Sequence, residues 1–159
     1  MSYQIADEPH PSDGRNSLVF RPSAPLFAVM WCGAWLAFPW FALNAFAMRS
    51  PTARREMKLA AIALAGTAAL ALGVYGLVDL GVIESRLTLQ IALLAVTAYK
   101  LGFAYTLSTI QSRTFNVYTY YGGTVQKAMY VLIAGHYLRP LILGLVDSPA
   151  WRVIVSGGL

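Results

Sequence analysis

The sequence predicts an all-α integral membrane protein with four transmembrane helices, short loops, a polar N-terminal tail and a short C-terminal interfacial helix. Hydrophobic residues make up 57% of the 159 residues and charged residues 12%, and that charged share is roughly half the share in a soluble domain. Four apolar runs each approach or exceed the roughly 20 residues that cross a hydrocarbon core of about 30 Å. This composition excludes a disordered chain and disfavours a soluble globular domain.

The four predicted spans divide the chain into a tail, a membrane domain and a second tail. The spans cover residues 25–48, 58–78, 87–110 and 127–146, within a membrane domain of residues 25–146 between a polar tail (1–24) and a C-terminal tail (147–159). Pro25 suits the first turn of a helix, where its missing N–H would have no partner in any case. The turn after the second span contains Ser85, and Ser148-Pro149 predicts the start of a short final helix.

The distribution of charge predicts an orientation in the membrane. The loops after spans one and three hold six basic residues and one acid, Glu56, whereas the two tails and the second loop hold four basic and six acidic residues. Because basic loops stay cytoplasmic, we expect loops one and three in the cytoplasm of a bacterial inner membrane and both termini outside. The net charge of +5 is explained by this topology and by contact with anionic lipid, and it does not require nucleic acid.

The second span contains a row of small residues at every fourth position. We name this set the small-residue row: Ala61, Ala65, Ala69 and Gly73. Helices in lipid associate through close backbone approach and dispersion, which small residues permit. The row therefore predicts helix packing, either inside one bundle or between chains.

Three cationic or titratable residues lie inside the predicted spans. Lys100 lies ten residues before Ile110 and His136 nine residues after Lys127, so both lie about 13–15 Å from the cytoplasmic end at 1.5 Å per residue. Arg139 follows on the same helix face as His136. Such residues are costly inside a bilayer and call for an explanation.

Two prolines inside the spans predict helix kinks that free backbone carbonyls. A proline clashes with the carbonyl four residues earlier, which is that of Trp35 for Pro39 and that of His136 for Pro140. We expect Lys100 to donate a hydrogen bond to one of these two freed carbonyls, for example that of His136.

The polar residues of the spans suit an anion better than a cation. No Asp or Glu lies inside any predicted span, which argues against a carboxylate cation site or proton relay. Lys100, His136, Arg139 and Asn44 could form a path or site for an anionic solute or an anionic headgroup. The alternative is that the cations snorkel or cap carbonyls and bind nothing.

Cofactors, metals and catalysis have little support in the sequence. Cys32 is the single cysteine, so no cysteine cluster exists. Asp7, Glu8, His10 and Asp13 lack an established metal-ligand spacing. We therefore predict no cofactor, no metal and no enzyme activity, since no nucleophile and base can be placed together.

Two functions remain. The first is helix–helix assembly, as a subunit of a larger membrane complex or as a homo-oligomer, with the bilayer and other membrane subunits or a second copy as partners. The second is a channel or transporter for an anionic solute or lipid, because the interior cations and kinking prolines are similar in kind to the broken helices of transporters.

Overall fold

The computed structural model describes residues 18–156, and within that range all of the regular secondary structure is helical. The tail residues Asp7, Glu8, His10 and Asp13, for which the sequence predicts no metal site, lie outside the described residues. The helices are α1 (Ser23–Trp31), α2 (Ala34–Ala47), α3 (Ala53–Asp79), α4 (Arg86–Tyr120), α5 (Met129–Leu143) and α6 (Pro149–Val155).

The first apolar run forms two helices instead of one. It breaks at Cys32-Gly33, where Gly33 has φ +100° and ψ 178°, a region that is essentially restricted to glycine. The Gly33 N–H bonds to the carbonyl of Ala28 at 2.8 Å, which closes the end of α1. The sequence predicts a kink at Pro39, and α2 continues through this residue without ending.

Within the described range, α3 and α4 are the two helices long and apolar enough, by length and composition, to cross a membrane. Only 17% of the most apolar 18-residue window of each is buried inside the structure. The side chain of Ser85 caps α4 by accepting from two backbone N–H groups. α4 continues to Tyr120, ten residues beyond the predicted end of the third span at Ile110.

The C-terminal part of the chain forms the shorter helices α5 and α6. α5 has 15 residues and runs through Pro140 without ending. α6 begins at Pro149 as the sequence predicts, although the side chain of Ser148 makes no cap hydrogen bond. The indole of Trp151 donates to the carbonyl of Ile142 at 2.8 Å, which joins α6 to the end of α5.

Small side chains form most of the core where α1 to α4 meet. Its fully buried members include alanines from each of these helices, together with two phenylalanines of α2: Ala28, Ala37, Phe38, Phe41, Ala63, Ala104 and Leu107. A position such as Ala63 is fully buried, so the helices approach closely, as small residues allow.

The small-residue row does not pack inside the bundle. Its four members, Ala61, Ala65, Ala69 and Gly73, are all exposed. The inward face of α3 is a different set of residues, namely Glu56, Ala60, Ala63, Thr67 and Ala71. Of the two arrangements that the sequence leaves open, packing of this row inside the bundle is not seen among the described residues, because a second face of the same helix takes that role.

Candidate functional site

Lys100 is the most deeply buried cation of the described chain. Its side chain is 1% exposed, near the middle of α4. Its Nζ donates to the backbone carbonyls of Val153 and Ser156, each at 3.2 Å. The last carbonyls of a helix lack intrahelical partners and carry the negative end of its dipole. Lys100 therefore caps the C-terminus of α6.

A cavity of about 280 Å³ adjoins this cap, and we name it the Lys100 cavity. It is lined by Tyr75, Leu93, Thr97, Lys100, Pro149, Arg152, Val153 and Ser156. Two of these residues are basic and none is acidic. Arg152 itself pairs with the exposed Asp147 through an Nη2–Oδ1 contact of 2.9 Å. The site therefore combines positive charge with hydroxyl groups and apolar walls.

His136 and Arg139 lie at a different helix end from Lys100. The ring of His136 lies 6.0 Å from that of Trp31, measured between centroids. Arg139 Nη1 donates to the carbonyl of Trp31, the last residue of α1, at 3.5 Å. The hydrogen bond suggested between Lys100 and the carbonyl of His136 is not made, because the Nζ of Lys100 donates to the carbonyls at the end of α6 instead. The predicted Lys/His/Arg group is therefore separated: Lys100 caps α6, whereas Arg139 caps α1 and His136 only contacts Trp31.

Asn44 is fully buried and is engaged in fastening the chain segment that precedes α1. Its Oδ1 accepts from the Phe20 N–H at 2.8 Å, and its Nδ2 donates to the Phe20 carbonyl and to Gln111 Oε1. Gln111 Nε2 in turn donates to the Phe41 carbonyl at 2.7 Å. Both amide hydrogens of Asn44 are therefore used within the protein, and neither is left to donate to a ligand.

The break at Gly33 is the point where α1, α2, α5 and α6 meet. A Cβ atom at Gly33 would lie 2.0 Å from the Val155 carbonyl oxygen, so only glycine admits the end of α6. Cys32 is buried, and its Sγ donates to the carbonyl of Leu132 on α5 at 3.6 Å. The kinks at Pro39 and Pro140 stay predictions, since both residues lie inside continuous helices.

A buried carboxylate that the sequence did not single out lies in the first turn of α3. Glu56 is 0% exposed, and its Oε1 accepts from the hydroxyls of Ser50 and Thr52, each at 2.6 Å. Its Oε2 is buried without a hydrogen-bond partner. The sequence signal that could have indicated these hydrogen bonds is the pair of hydroxyl residues, Ser50 and Thr52, just ahead of a helix that contains Glu56.

Most of the residues that line the Lys100 cavity could not be predicted from the sequence. Tyr75, Thr97 and Arg152 come from three separate helices, and nothing in their spacing indicates that α6 turns back onto α3 and α4. Among residues 18–156, no group of three or more His, Cys, Asp or Glu side chains is placed to hold a metal ion.

The site and fold define a helical protein with two long apolar helices and a capped, cation-lined cavity. Comparisons with protein-family models, with curated proteins and with solved structures find no match to this chain. The function is therefore argued from the residues themselves.

Proposed function

We propose that this protein is a polytopic membrane protein that acts through helix–helix assembly. The membrane part of the proposal is supported by the exposed apolar surface of the long helices. A core helix of a soluble protein would be mostly buried, but only 17% of the most apolar window of α3, and the same fraction for α4, is buried. Contiguous apolar surface of this extent needs lipid or another protein against it.

Four crossings complete the proposed topology. α3 and α4 form the second and third spans, α1 and α2 together form a broken first span, and α5 with its flanking residues forms the fourth. A helix of 15 residues such as α5 rises only about 22 Å, so its flanking residues, or local thinning of the bilayer, must supply the rest. Loops one and three face the cytoplasm of a bacterial inner membrane in this proposal, because they carry most of the loop basic residues.

The observation that carries the assembly proposal is the exposure of the small-residue row. Each of its members lies on the outside of α3, while the bundle uses another face of the same helix. A Cβ atom built at Gly73 would have no atom outside its own turn within 4 Å. A second helix can therefore approach this row closely, which is the main source of helix association in lipid.

The geometry favours assembly over transport. A transport path needs Lys100, His136 and Asn44 to face one ligand, yet each contacts a different part of the fold. Lys100 bonds to the end of α6, His136 lies beside Trp31, and the amide of Asn44 is used by Phe20 and Gln111. The partner of the small-residue row is a second copy of the chain or another membrane subunit.

Disulfide cross-linking in native membranes tests the assembly proposal. In a Cys32→Ala background, Ala69→Cys places a thiol on the small-residue row, and Leu70→Cys places one at the same depth about 100° around the helix. We expect oxidation to give a cross-linked product for Ala69→Cys and little for Leu70→Cys. A product of twice 17.3 kDa identifies a homo-oligomer, and a different added mass identifies another subunit.

Equal yields at the two positions would contradict the proposal, and the absence of product at Ala69→Cys would contradict its homo-oligomer form. Equal yields would indicate random collision in the membrane. Because a disulfide needs a thiol on both chains, absence of product would show that no second copy of this chain lies against the row.

A further inference from the structure

We propose that the Lys100 cavity binds a phosphate-type anion, either inorganic phosphate or the phosphate of an anionic lipid headgroup. This inference is independent of the assembly proposal, because the cavity lies among α3, α4 and α6 and uses no member of the small-residue row.

Lys100 supplies the first component of the site. A lysine ammonium has three N–H donors, and only two of them are directed at the carbonyls of Val153 and Ser156. Because Lys100 also lines the cavity, we assign its third donor to the anion. Because its side chain is 1% exposed, an anion in the cavity would interact with a charge that water screens little.

Arg152 supplies the second component. Arg152 also lines the cavity, and its side chain, which is 65% exposed, pairs with Asp147, whose side chain is 94% exposed. A solvent-exposed ion pair of this kind contributes about 0–1 kcal/mol, so an anion in the cavity can take over the guanidinium at little cost. Arginine binds phosphate with paired N–H donors and lysine binds it as a point charge.

The size and composition of the cavity define the ligand class. A volume of about 280 Å³ lies just below the range of small-molecule pockets, which run from about 300 to 1,000 Å³. It has room for a phosphate with a small substituent such as glycerol. The two basic lining residues stay net positive even when the exposed Asp147 beside Arg152 is counted, which suits a single phosphate group, and Tyr75 also lines the wall.

Two substitutions that break the same ion pair distinguish an effect on anion binding from an effect on folding stability. Arg152→Gln removes a cation from the cavity, whereas Asp147→Asn removes the carboxylate that competes for Arg152. Both leave the Lys100 cap on α6 intact, so folding is expected to be retained. Arg113→Gln, an exposed arginine on the far part of α4, is the matched control.

Phosphate is titrated against the purified protein in neutral detergent at constant ionic strength set with chloride, and binding is read by calorimetry and by the melting temperature. A second arm compares melting temperatures in nanodiscs of phosphatidylglycerol and of phosphatidylcholine. We expect Arg152→Gln to weaken binding about 10-fold or more, as for the loss of a charged hydrogen bond. Asp147→Asn should bind equally or more tightly, and Arg113→Gln should match the wild type.

The two arms identify the source of the phosphate. Stabilisation by inorganic phosphate indicates a site for the free anion. Stabilisation by phosphatidylglycerol alone, lost in Arg152→Gln, indicates a headgroup site. The proposal is overturned if neither probe stabilises the wild type, if Arg152→Gln behaves as Arg113→Gln does, or if Asp147→Asn and Arg152→Gln weaken binding equally.

Discussion

Gly33→Ala should lower the free energy of unfolding more than most other substitutions that add a single methyl group to this protein. The added Cβ would lie 2.0 Å from the Val155 carbonyl oxygen and 2.7 Å from its carbon. Ordinary contacts of this kind are longer than 3 Å, so the end of α6 would have to move by about 1 Å or more. Gly33 also has φ +100°, which no alanine adopts without strain.

The expected loss follows from two terms. A non-glycine residue in such a backbone conformation costs about 1–3 kcal/mol. Displacement of α6 lengthens the 3.2 Å bonds from Lys100 to Val153 and Ser156 beyond hydrogen-bonding distance, and losing one bond to a charged group costs about 1.5–3 kcal/mol. Together they predict a decrease of about 2.5–6 kcal/mol in the free energy of unfolding, a large part of the stability of a typical domain.

Denaturant unfolding of the detergent-solubilised protein, followed by tryptophan fluorescence, measures this decrease. Gly102→Ala is the control, because a Cβ there meets no atom within 4 Å. That change should stabilise by about 0.5–1 kcal/mol, since alanine favours a helix interior. Gly33→Ala and Lys100→Met should also cost less together than the sum of their separate costs, because both detach the same end of α6. A loss below about 1 kcal/mol for Gly33→Ala would refute the packing of α6 on Gly33.

Two further predictions concern the buried polar groups. Asn44→Leu leaves the backbone of Phe20 without its partners, so the free energy of unfolding should fall by about 2–4 kcal/mol and hydrogen exchange at the Phe20 amide should quicken. An unchanged exchange rate would contradict the assigned contacts. Ser50→Ala removes one of the two hydroxyls on Glu56 and should cost about 1–3 kcal/mol. The cost should be smaller in a Glu56→Gln background, and equal costs in both backgrounds would show that the hydroxyl does not act through the carboxylate.

Helix content and several helix ends were predictable because local signals determine them. The apolar runs around α3 and α4 are long, and Ser85 and Pro149 mark helix starts that depend only on neighbouring residues. The break at Gly33 was not predicted. A single glycine inside an apolar run is common in membrane helices, and the reason for this one is a contact with Val155, which lies more than 120 residues later in the chain.

Prediction of the candidate site is likewise limited by contacts between residues that lie far apart in the chain. Burial of Lys100 inside an apolar run indicated that it needs a partner, and that reasoning applies to any interior cation. Its acceptors could not be predicted, because they belong to α6, whose return onto α4 is a long-range contact. The small-residue row was recognised from its spacing, but which face of α3 packs inward depends on the neighbouring helices and not on residue size alone.

The mass of the assembly in native membranes tests most directly whether the small-residue row mediates association. Native mass spectrometry compares the wild type, Ala69→Leu on the row and Ala63→Leu on the buried face of α3. We predict a wild-type assembly heavier than the 17.3 kDa chain, which Ala69→Leu reduces to the single chain without lowering its melting temperature. Ala63→Leu should instead destabilise the fold by overpacking. A wild type found only at 17.3 kDa, or an Ala69→Leu variant with the wild-type assembly mass, would contradict the account.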